Sequence, residues 1–425
     1  MRYHVYLLIM LAAMPTAVVW ATETNQPTTL TLDDCLDEAV RHQPDVAAAK
    51  EALQRAEFQY RAAMSAFLPQ LSANASADRS SVASGSNVLV NNSYTANLQA
   101  QESLYSGGHD TALLAQRTAE REVACEQYRL ALAQLSFDVR VAFARQLYAV
   151  DLIEQTSVIV KRRAGNADLV ALRYEGGREH KGSLLRMQAI LSQARLDQES
   201  AQRALDVARQ RLARALGREM PVAVINGSLV CEPPETMADC DKLAEAVPDV
   251  RIAAAQAKAA KAGVRVAKSE YFPTITAAGS VSRSDDVFFP QNDGWSVGVQ
   301  LNYPFFSGGR NIMDVRTAQS DERRFAWLLR SQWQQTLTDL RQAYSDWLDA
   351  YQRLSVQKEF LQAATIRAEI ARNQYTTGLL SFDNWDIIEN DLITQQKAEL
   401  TARRDAALAQ AAWEKARGIS LLPAK

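Results

Sequence analysis

Pro44-Asp45-Val46 opens an alanine-rich stretch that ends at Phe67-Leu68-Pro69, and the chain contains this block twice. The second copy opens at Pro248-Asp249-Val250 and ends at Tyr271-Phe272-Pro273. Each copy spans 25 residues from proline to proline (69 − 44 and 273 − 248), at an offset of 204 residues (248 − 44). Because the two spacings are equal, the block predicts a duplicated structural unit.

Two further pairs of segments extend the duplication along the chain. Tyr105 to His109 corresponds to Phe306 to Arg310, and Arg173 to Gly177 corresponds to Gln374 to Gly378, both at an offset of 201 residues (306 − 105 and 374 − 173). Collinear matches predict two tandem structural repeats. The predicted boundaries are 22–225 for the first repeat, 226–247 for the linker and 248–425 for the second repeat.

The composition favours long helices. The 425 residues include only 17 glycines and 12 prolines, which is less typical of a compact α/β enzyme. A formal net charge of −2 gives no indication of a nucleic-acid-binding surface.

The N-terminus has the pattern of a signal peptide, predicted at 1–21. Arg2 precedes an apolar run, and Val19-Trp20-Ala21 is typical of a cleavage site. No cysteine follows that site, which argues against a lipid anchor. We therefore expect an exported protein.

Four stretches alternate apolar with polar or small residues, the period of a strand that has one apolar face. In one of them Trp295, Val297 and Val299 alternate with Ser296 and Gly298. About ten tilted residues are enough to cross a bilayer as β-structure. Two soluble hairpins packed on helices are the alternative. The predicted strands are about 70–80, 93–103, 273–283 and 294–304.

Four strands cannot close a barrel alone. An open sheet edge in lipid leaves backbone groups unpaired, and the smallest outer-membrane barrels have about eight strands. If these strands span a membrane, three copies that share one twelve-stranded barrel leave no open edge.

Long proline-free helical patterns make up the rest of each repeat. The run at 107–163 spans roughly 85 Å, well over twice the hydrocarbon core of about 30 Å, so it must project out of the membrane. Each long helix is expected to lie beside two shorter ones. The predicted helices are about 44–66, 107–163 and 183–216 in the first repeat, and 248–270, 308–376 and 384–417 in the second.

Several of these motifs resemble those of a known family. Phe67 to Leu71, Tyr303 to Arg310 and Tyr375 to Ser381 are similar to signatures of the TolC family of outer-membrane efflux proteins, and the order of elements is similar along nearly the whole chain. The resemblance implies an α+β membrane protein, a homotrimer in the cell outer membrane. Its twelve-stranded β-barrel, with four strands per chain, would continue into a long periplasmic α-helical coiled-coil barrel.

The resemblance also implies a function, which is the exit duct of a tripartite efflux or type I secretion system. The implied partners are outer-membrane lipid, a periplasmic adaptor (membrane fusion) protein and an inner-membrane pump of RND or ABC type. A structural coiled-coil protein of the cell envelope without a pore is the alternative function.

In that family the turn after a Tyr-x-x-Gly segment forms the periplasmic end, where the duct closes and the adaptor binds. The resemblance places the two turns at 174–183 and 375–384. The implied tip and adaptor-docking residues are Tyr174, Gly177, Arg178, Glu179, Lys181, Tyr375, Gly378, Leu379, Leu380 and Ser381.

The aperture of the duct is a second implied site. The family pattern often has an aspartate six residues after the turn glycine, whereas this chain has Ser183 and Asn384 there. Asp383 and Asp386 flank the second position and are candidates for a shifted acidic ring.

The two turns differ in charge. The first carries the cluster Arg178-Glu179-His180-Lys181, where the second has Leu379 and Leu380. One hypothesis is that this cluster meets acidic residues of neighbouring helices and holds the tip closed. The alternative is a solvated charged loop, since exposed ion pairs contribute little to stability.

Three other features of the sequence bear on possible chemistry. Gly107-Gly108 and Gly308-Gly309 lack the Gly-Lys-Ser/Thr context of a phosphate loop, so we expect them to form strand–helix turns. Cys231 and Cys240 flank a Pro-Pro turn in the linker, and we predict a disulfide between them. The histidines have no partners at metal-ligand spacing and no catalytic set is present, so no metal, cofactor or enzymatic activity is expected.

Overall fold

The computed structural model describes residues 29–84, 87–222, 224–237 and 239–420. The predicted signal peptide at 1–21 lies outside the described residues. The first part of the chain forms α1 (Leu32–His42), α2 (Pro44–Met64), β1 (Gln70–Ser84), β2 (Asn87–Tyr105), α3 (His109–Glu175) and α4 (Lys181–Leu216). The second part forms α5 (Cys240–Ala246), α6 (Pro248–Ser269), β3 (Thr274–Asp285), β4 (Asn292–Asn302), α7 (Arg310–Thr377) and α8 (Phe382–Ala416).

The two repeats have the same order of elements. Pro44 and Pro248 stand in the first turn of α2 and α6, where the missing N–H of proline has no helical partner to lose. The long helices α3 and α7 have 67 and 68 residues, which corresponds to roughly 100 Å each. None of the helices in the described ranges is both long and apolar enough to cross a membrane.

One helix end differs from the sequence predictions, and two short helices were not predicted. The first long helix ends at Glu175 rather than near 163, because Gly165 does not interrupt it. A single helical glycine costs only about 1 kcal/mol relative to alanine, which a helix packed along its length tolerates. The predictions also missed α1 and α5, although α1 begins with a capping box in which Thr31 and Asp34 exchange hydrogen bonds.

The four strands form one antiparallel sheet in the order β1-β2-β3-β4. A row of apolar residues crosses it, because Ala73 pairs with Leu98, Leu98 with Val281 and Val281 with Trp295. Leu98, Val281 and Trp295 are 58%, 61% and 80% exposed. In one chain, therefore, the apolar face of the sheet is bare, and β1 and β4 are both open edges.

The helices pack side by side in a single layer. The two short helices of the first repeat, α2 and α4, lie against α3, whereas α6 and α8 lie against both α3 and α7. Gly217, which ends α4 with φ +74°, brings that end against the start of α2, where an added Cβ would lie 2.6 Å from the carbonyl oxygen of His42. The layer is thus four helices wide, with α2 stacked on α4 and α6 on α8.

A collar covers one face of this layer at mid-height. We use this name for α1, α5 and the segments 219–222 and 224–237. Gln146 on α3 donates a hydrogen bond to the carbonyl oxygen of Val222, 3.2 Å away, and Phe143 packs against Gly227. On α8, the side-chain oxygen of Gln410 accepts from the backbone N–H of Glu232 at 3.1 Å.

The disulfide predicted between Cys231 and Cys240 is not formed, and both cysteines are free thiols. The Cys231 thiol faces α8 instead, with its Sγ 3.5 Å from the carbonyl oxygen of Ala406. Burial raises the pKa of this thiol. Tertiary packing of the collar, which spacing along the chain cannot report, therefore separates the two sulfurs.

Candidate functional site

The candidate site is the end of the helical layer where α3 turns into α4 and α7 turns into α8. Gly177 and Gly378 adopt left-handed conformations with φ +69° and +84°. In each turn a backbone N–H reaches back across the glycine, from Arg178 to the oxygen of Arg173 at 2.8 Å and from Leu379 to the oxygen of Gln374 at 2.9 Å. These bonds satisfy carbonyl groups that the helix ends leave free.

An aromatic stack fills the space between the two turns. The ring of Tyr375 is 1% exposed and lies parallel to that of Trp385, with 4.2 Å between centroids. Phe382 packs edge-on against both rings, and the Arg173 guanidinium lies 4.5 Å from the centroid of Tyr375. Phe382, Trp385 and Arg173 were not among the predicted site residues, although two aromatic residues directly after the second turn indicate a small core there.

Side-chain hydrogen bonds from Arg173 and Tyr375 link the two turns, and Arg173 donates to the carbonyl oxygen of Tyr375. The Tyr375 hydroxyl donates to Oε2 of Glu179 at 3.0 Å, and the other carboxylate oxygen accepts from the Ser183 hydroxyl at 3.0 Å and the His180 N–H at 3.2 Å. Burial acts to raise the pKa of Glu179, but the donors from His180, Ser183 and Tyr375 outweigh it, and the net pKa is lowered. Burial and the nearby carboxylate raise the pKa of Tyr375, so the phenol stays protonated and able to donate.

Most of the other predicted tip residues face solvent. The side chains of Arg178 and Lys181 are exposed, and neither forms an ion pair with any residue in the described ranges. Leu379 is 81% exposed and Tyr174 is 39% exposed, whereas Leu380 is half-buried against the aromatic stack. Ser381 is exposed at the N-cap of α8. The end of the layer therefore offers two free cations at one turn and a bare leucine at the other.

The four aperture candidates divide into two pairs. Ser183 and Asp386 are buried, with Asp386 accepting from Arg186 Nε at 2.9 Å and from Asn390 at 3.0 Å. Asp383 and Asn384 are exposed. Only this second pair is therefore open to solvent within one chain.

A buried charged network that sequence analysis missed lies one to two turns further from the tip. Glu389 is fully buried and accepts two hydrogen bonds of 2.7 Å from Arg162 and one of 3.0 Å from Asn166. Arg163 is 3% exposed and donates to Asn390. This network ties α8 to α3. Its one sequence signal was the adjacent pair Arg162-Arg163 inside a helix.

The sequence matches the family described as outer membrane efflux protein over residues 35–218 and 240–418. The first segment lies within the first repeat, the second covers the end of the linker and most of the second repeat, and together they span most of the chain. The chain belongs to the outer membrane efflux protein family.

Relatives and solved structures agree with this assignment. Nodulation protein T of Rhizobium leguminosarum bv. trifolii is 22% identical over 413 residues, which cover 94% of this chain and 86% of that protein. Protein CyaE of Bordetella pertussis is 28% identical over 337 residues, covering 75% and 69%. The open state of the Neisseria gonorrhoeae MtrE outer membrane channel has the same fold, with a TM-score of 0.81, 21% identity, and 92% and 89% of the chains covered.

Membership of the efflux protein family confirms the predicted fold class and location. The chain is an α+β outer-membrane protein of two tandem repeats, and its four-stranded sheet and long helical layer have the fold of the outer membrane channel structures. It is an outer-membrane exit duct for efflux or secretion, in a family of transport channels.

The glycine pairs lie where this efflux-protein fold passes from sheet to helix. Gly107 and Gly108 have φ of +65° and +84°, and Gly308 and Gly309 have +66° and +84°. The second glycine of each pair is the N-cap of a long helix. Equal backbone angles at the two sites follow from the duplication.

Proposed function

We propose that three copies of the chain form an exit duct that receives substrates from an inner-membrane pump of RND or ABC type through a periplasmic adaptor. The observation that carries the proposal is the sheet, which has a bare apolar face and open edges at β1 and β4. In lipid, every unpaired backbone N–H and C=O of those edges would cost several kcal/mol. Pairing β1 of one copy with β4 of the next removes this cost, and three copies close the ring.

The helical layer supports the same assembly. Its outer members are α2 and α4 on one side and α7 on the other, and each has large apolar side chains exposed in the single chain. Phe58 on α2 is 63% exposed, Leu185 on α4 is 55% exposed, and Trp327 and Phe360 on α7 are 67% and 58% exposed. A neighbouring copy that packs α2 and α4 against α7 would cover these residues and continue the layer into a closed barrel.

The adaptor is proposed to dock on the tip. Arg178 and Lys181 are exposed cations at the first turn with no ion-pair partner in the described part of the chain, and Leu379 is a bare apolar side chain at the second. A trimer would present three turns of each kind in alternation. The complementary partner surface therefore carries carboxylates opposite the first turn and an apolar pocket opposite the second.

The closing contacts of the tip are proposed to be Tyr375–Glu179 and Arg186–Asp386. Each joins a first-repeat residue to a second-repeat residue, so outward rotation of α7 and α8 away from α3 and α4 breaks both. The exposed Asp383 and Asn384 would then line the aperture. On this view Arg178 and Lys181 serve docking rather than closure, and transport rather than catalysis is the activity of the chain.

Cysteine cross-linking tests the assembly. Each variant carries one cysteine on β1 and one on β4, in a background that lacks the four native cysteines. Membranes are oxidised before electrophoresis. Adjacent positions in neighbouring copies should give dimer and trimer bands and nothing larger, because the ring closes at three. Matched cysteines on β2 and β3, which are paired within the chain, should give monomers only. If every β1–β4 cysteine pair gave only a monomer band, the shared barrel would be contradicted.

A further inference from the structure

A groove of about 470 Å³ lies between α3, α4 and α8, next to the collar level. Each helix contributes one arginine to it, namely Arg145, Arg211 and Arg404. Asp405 is the one acidic residue among those that line it. The lining therefore has a net charge of about +2, since three guanidinium groups face one carboxylate.

Two of the three arginines have no side-chain partner among the described residues. Arg404 lies against Asp405, with Nε and Nη2 2.9 and 2.7 Å from Oδ1, and its guanidinium is 4.6 Å from the centroid of the Tyr148 ring. Arg145 and Arg211 are exposed and form no ion pair or side-chain hydrogen bond with any residue that the structure describes. Their donors are therefore available to a ligand.

The floor of the groove is apolar. It combines the ring of Tyr148 with small and aliphatic side chains on all three helices, which are Ala149, Leu152, Ala204, Ala208 and Leu408. Guanidinium groups bind carboxylate, phosphate and sulfonate oxygens through paired N–H donors, and they also stack on flat rings. The matching ligand is an organic molecule with at least two anionic groups and a flat or apolar body.

The groove lies on the opposite face of the helical layer from the collar. At about 100° per residue, Arg145 lies about 160° around α3 from Phe143, which packs on the collar. By the same geometry Arg404 lies about 120° around α8 from Gln410, which bonds to the collar. On both α3 and α8, therefore, the residues that line the groove and those that contact the collar point to different sides of the layer.

The collar must lie outside the barrel, so the groove lies inside. This step rests on the proposed trimer. Twelve helices spaced about 10 Å apart enclose a bore of roughly 30 Å, and three collars with two helices each, about 10 Å thick, would fill it. A duct needs an open bore.

We propose that each copy carries a site for polyvalent organic anions on the inner wall of the duct, formed by Arg145, Arg211, Arg404 and Tyr148. Three copies would give a belt of nine guanidinium groups at mid-height. Such a belt favours the passage of acidic substrates by concentrating them where the walls are positive.

Binding of pyranine, a trisulfonated aromatic dye, tests the site. Fluorescence anisotropy is measured with the detergent-solubilised trimer, and citrate is used as a competitor. The double variant Arg145→Gln/Arg211→Gln should bind the dye at least about tenfold more weakly, because it loses two charge-assisted contacts. Raising the salt concentration from 0.1 to 1 M should weaken wild-type binding, since the screening length falls from about 10 to 3 Å. The matched control, Arg178→Gln/Lys181→Gln, removes two equally free cations at the tip and should bind the dye like the wild type.

The position of the site in the bore is tested with single trimers in planar bilayers. The dye is added on the side of the membrane at which the β-barrel opens. Pyranine should reduce the current through wild-type channels and leave the double variant unaffected. Equal dye affinity in the wild type and the double variant would overturn the site, and dye binding without a current block would overturn its place on the inner wall. Both results are read on trimers that conduct, so they are distinct from failure of the duct itself, which would appear as absence of trimers or of conductance.

Discussion

The phenol of Tyr375 donates a 3.0 Å hydrogen bond to Glu179, and this contact connects the two turns through residues that lie 196 positions apart in the chain. Because one partner belongs to each repeat, the bond forms only while the two helical hairpins of a chain stay together at the tip. Its geometry is fixed from both sides. Stacking on Trp385 holds the ring, and Ser183 and His180 hold the carboxylate.

Tyr375→Phe should loosen the tip without unfolding it. The ring and its stacking remain, and the loss of one charge-assisted hydrogen bond costs roughly 1.5–3 kcal/mol. We expect a higher single-channel conductance in planar bilayers than for the wild type. Tyr174→Phe is the matched control, because this tyrosine holds the equivalent place in the first turn but makes no side-chain hydrogen bond among the described residues. Equal conductance of both variants and the wild type would refute the closing role.

Acidification should open the same contact. The folded pKa of Glu179 lies below its ordinary value of 4.5, so its contribution to stability is complete above that value and is lost as the pH falls through the folded pKa. Conductance should therefore rise as the pH is lowered below about 4.5. Glu179→Gln should remove this step from the pH profile. A profile that is unchanged in Glu179→Gln would assign the transition to other carboxylates.

Glu389→Gln should destabilise the periplasmic end strongly. The variant leaves Arg162 and the buried Arg163 without the carboxylate that they face, and breaking a buried ion pair costs about 3–5 kcal/mol. Asp197→Asn is the control, because its 2.6 Å pair with Lys397 is about one third exposed on both sides and contributes at most about 1 kcal/mol. Thermal unfolding of the purified trimers should separate the two variants clearly, and equal shifts would contradict the role assigned to burial.

Gly107→Ala should be more damaging than Gly308→Ala. Both positions have a left-handed backbone, which costs about 1–2 kcal/mol for a residue with a Cβ. At Gly107 the added Cβ would also lie 2.6 Å from the carbonyl oxygen of Ser269 and 2.8 Å from Cβ of Phe272, whereas at Gly308 nothing lies within 4 Å. Trimer yield and unfolding temperature should both be lower for Gly107→Ala than for Gly308→Ala. Equal losses of yield and unfolding temperature would mean that the left-handed backbone alone causes the destabilisation.

The strands were predictable because their signal is local. Successive side chains of an extended backbone point to opposite faces, so an apolar residue at every second position, as at Trp295, Val297 and Val299, marks the lipid-facing side of the strand. The helix ends were less predictable, since the end of α3 depends on packing that carries it past Gly165.

The position of the candidate site in the chain could be predicted, but the contacts between its side chains could not. The turn glycines marked its position through their left-handed backbone. Its contents are contacts between the repeats, such as Tyr375 with Glu179 and Glu389 with Arg162, and no periodicity along one segment encodes which residue of a distant helix will be opposite.

The sequence by itself therefore determined the duplication, the four half-apolar strands and the long helices, because each is a repeat or a period that the chain carries in its own order. Only the tertiary structure decided which charges are buried, that Cys231 and Cys240 stay apart, and that three arginines from three helices line one groove. These depend on the side-by-side placement of helices that are far apart in the chain. That placement is set by the packing of whole faces rather than by any single motif.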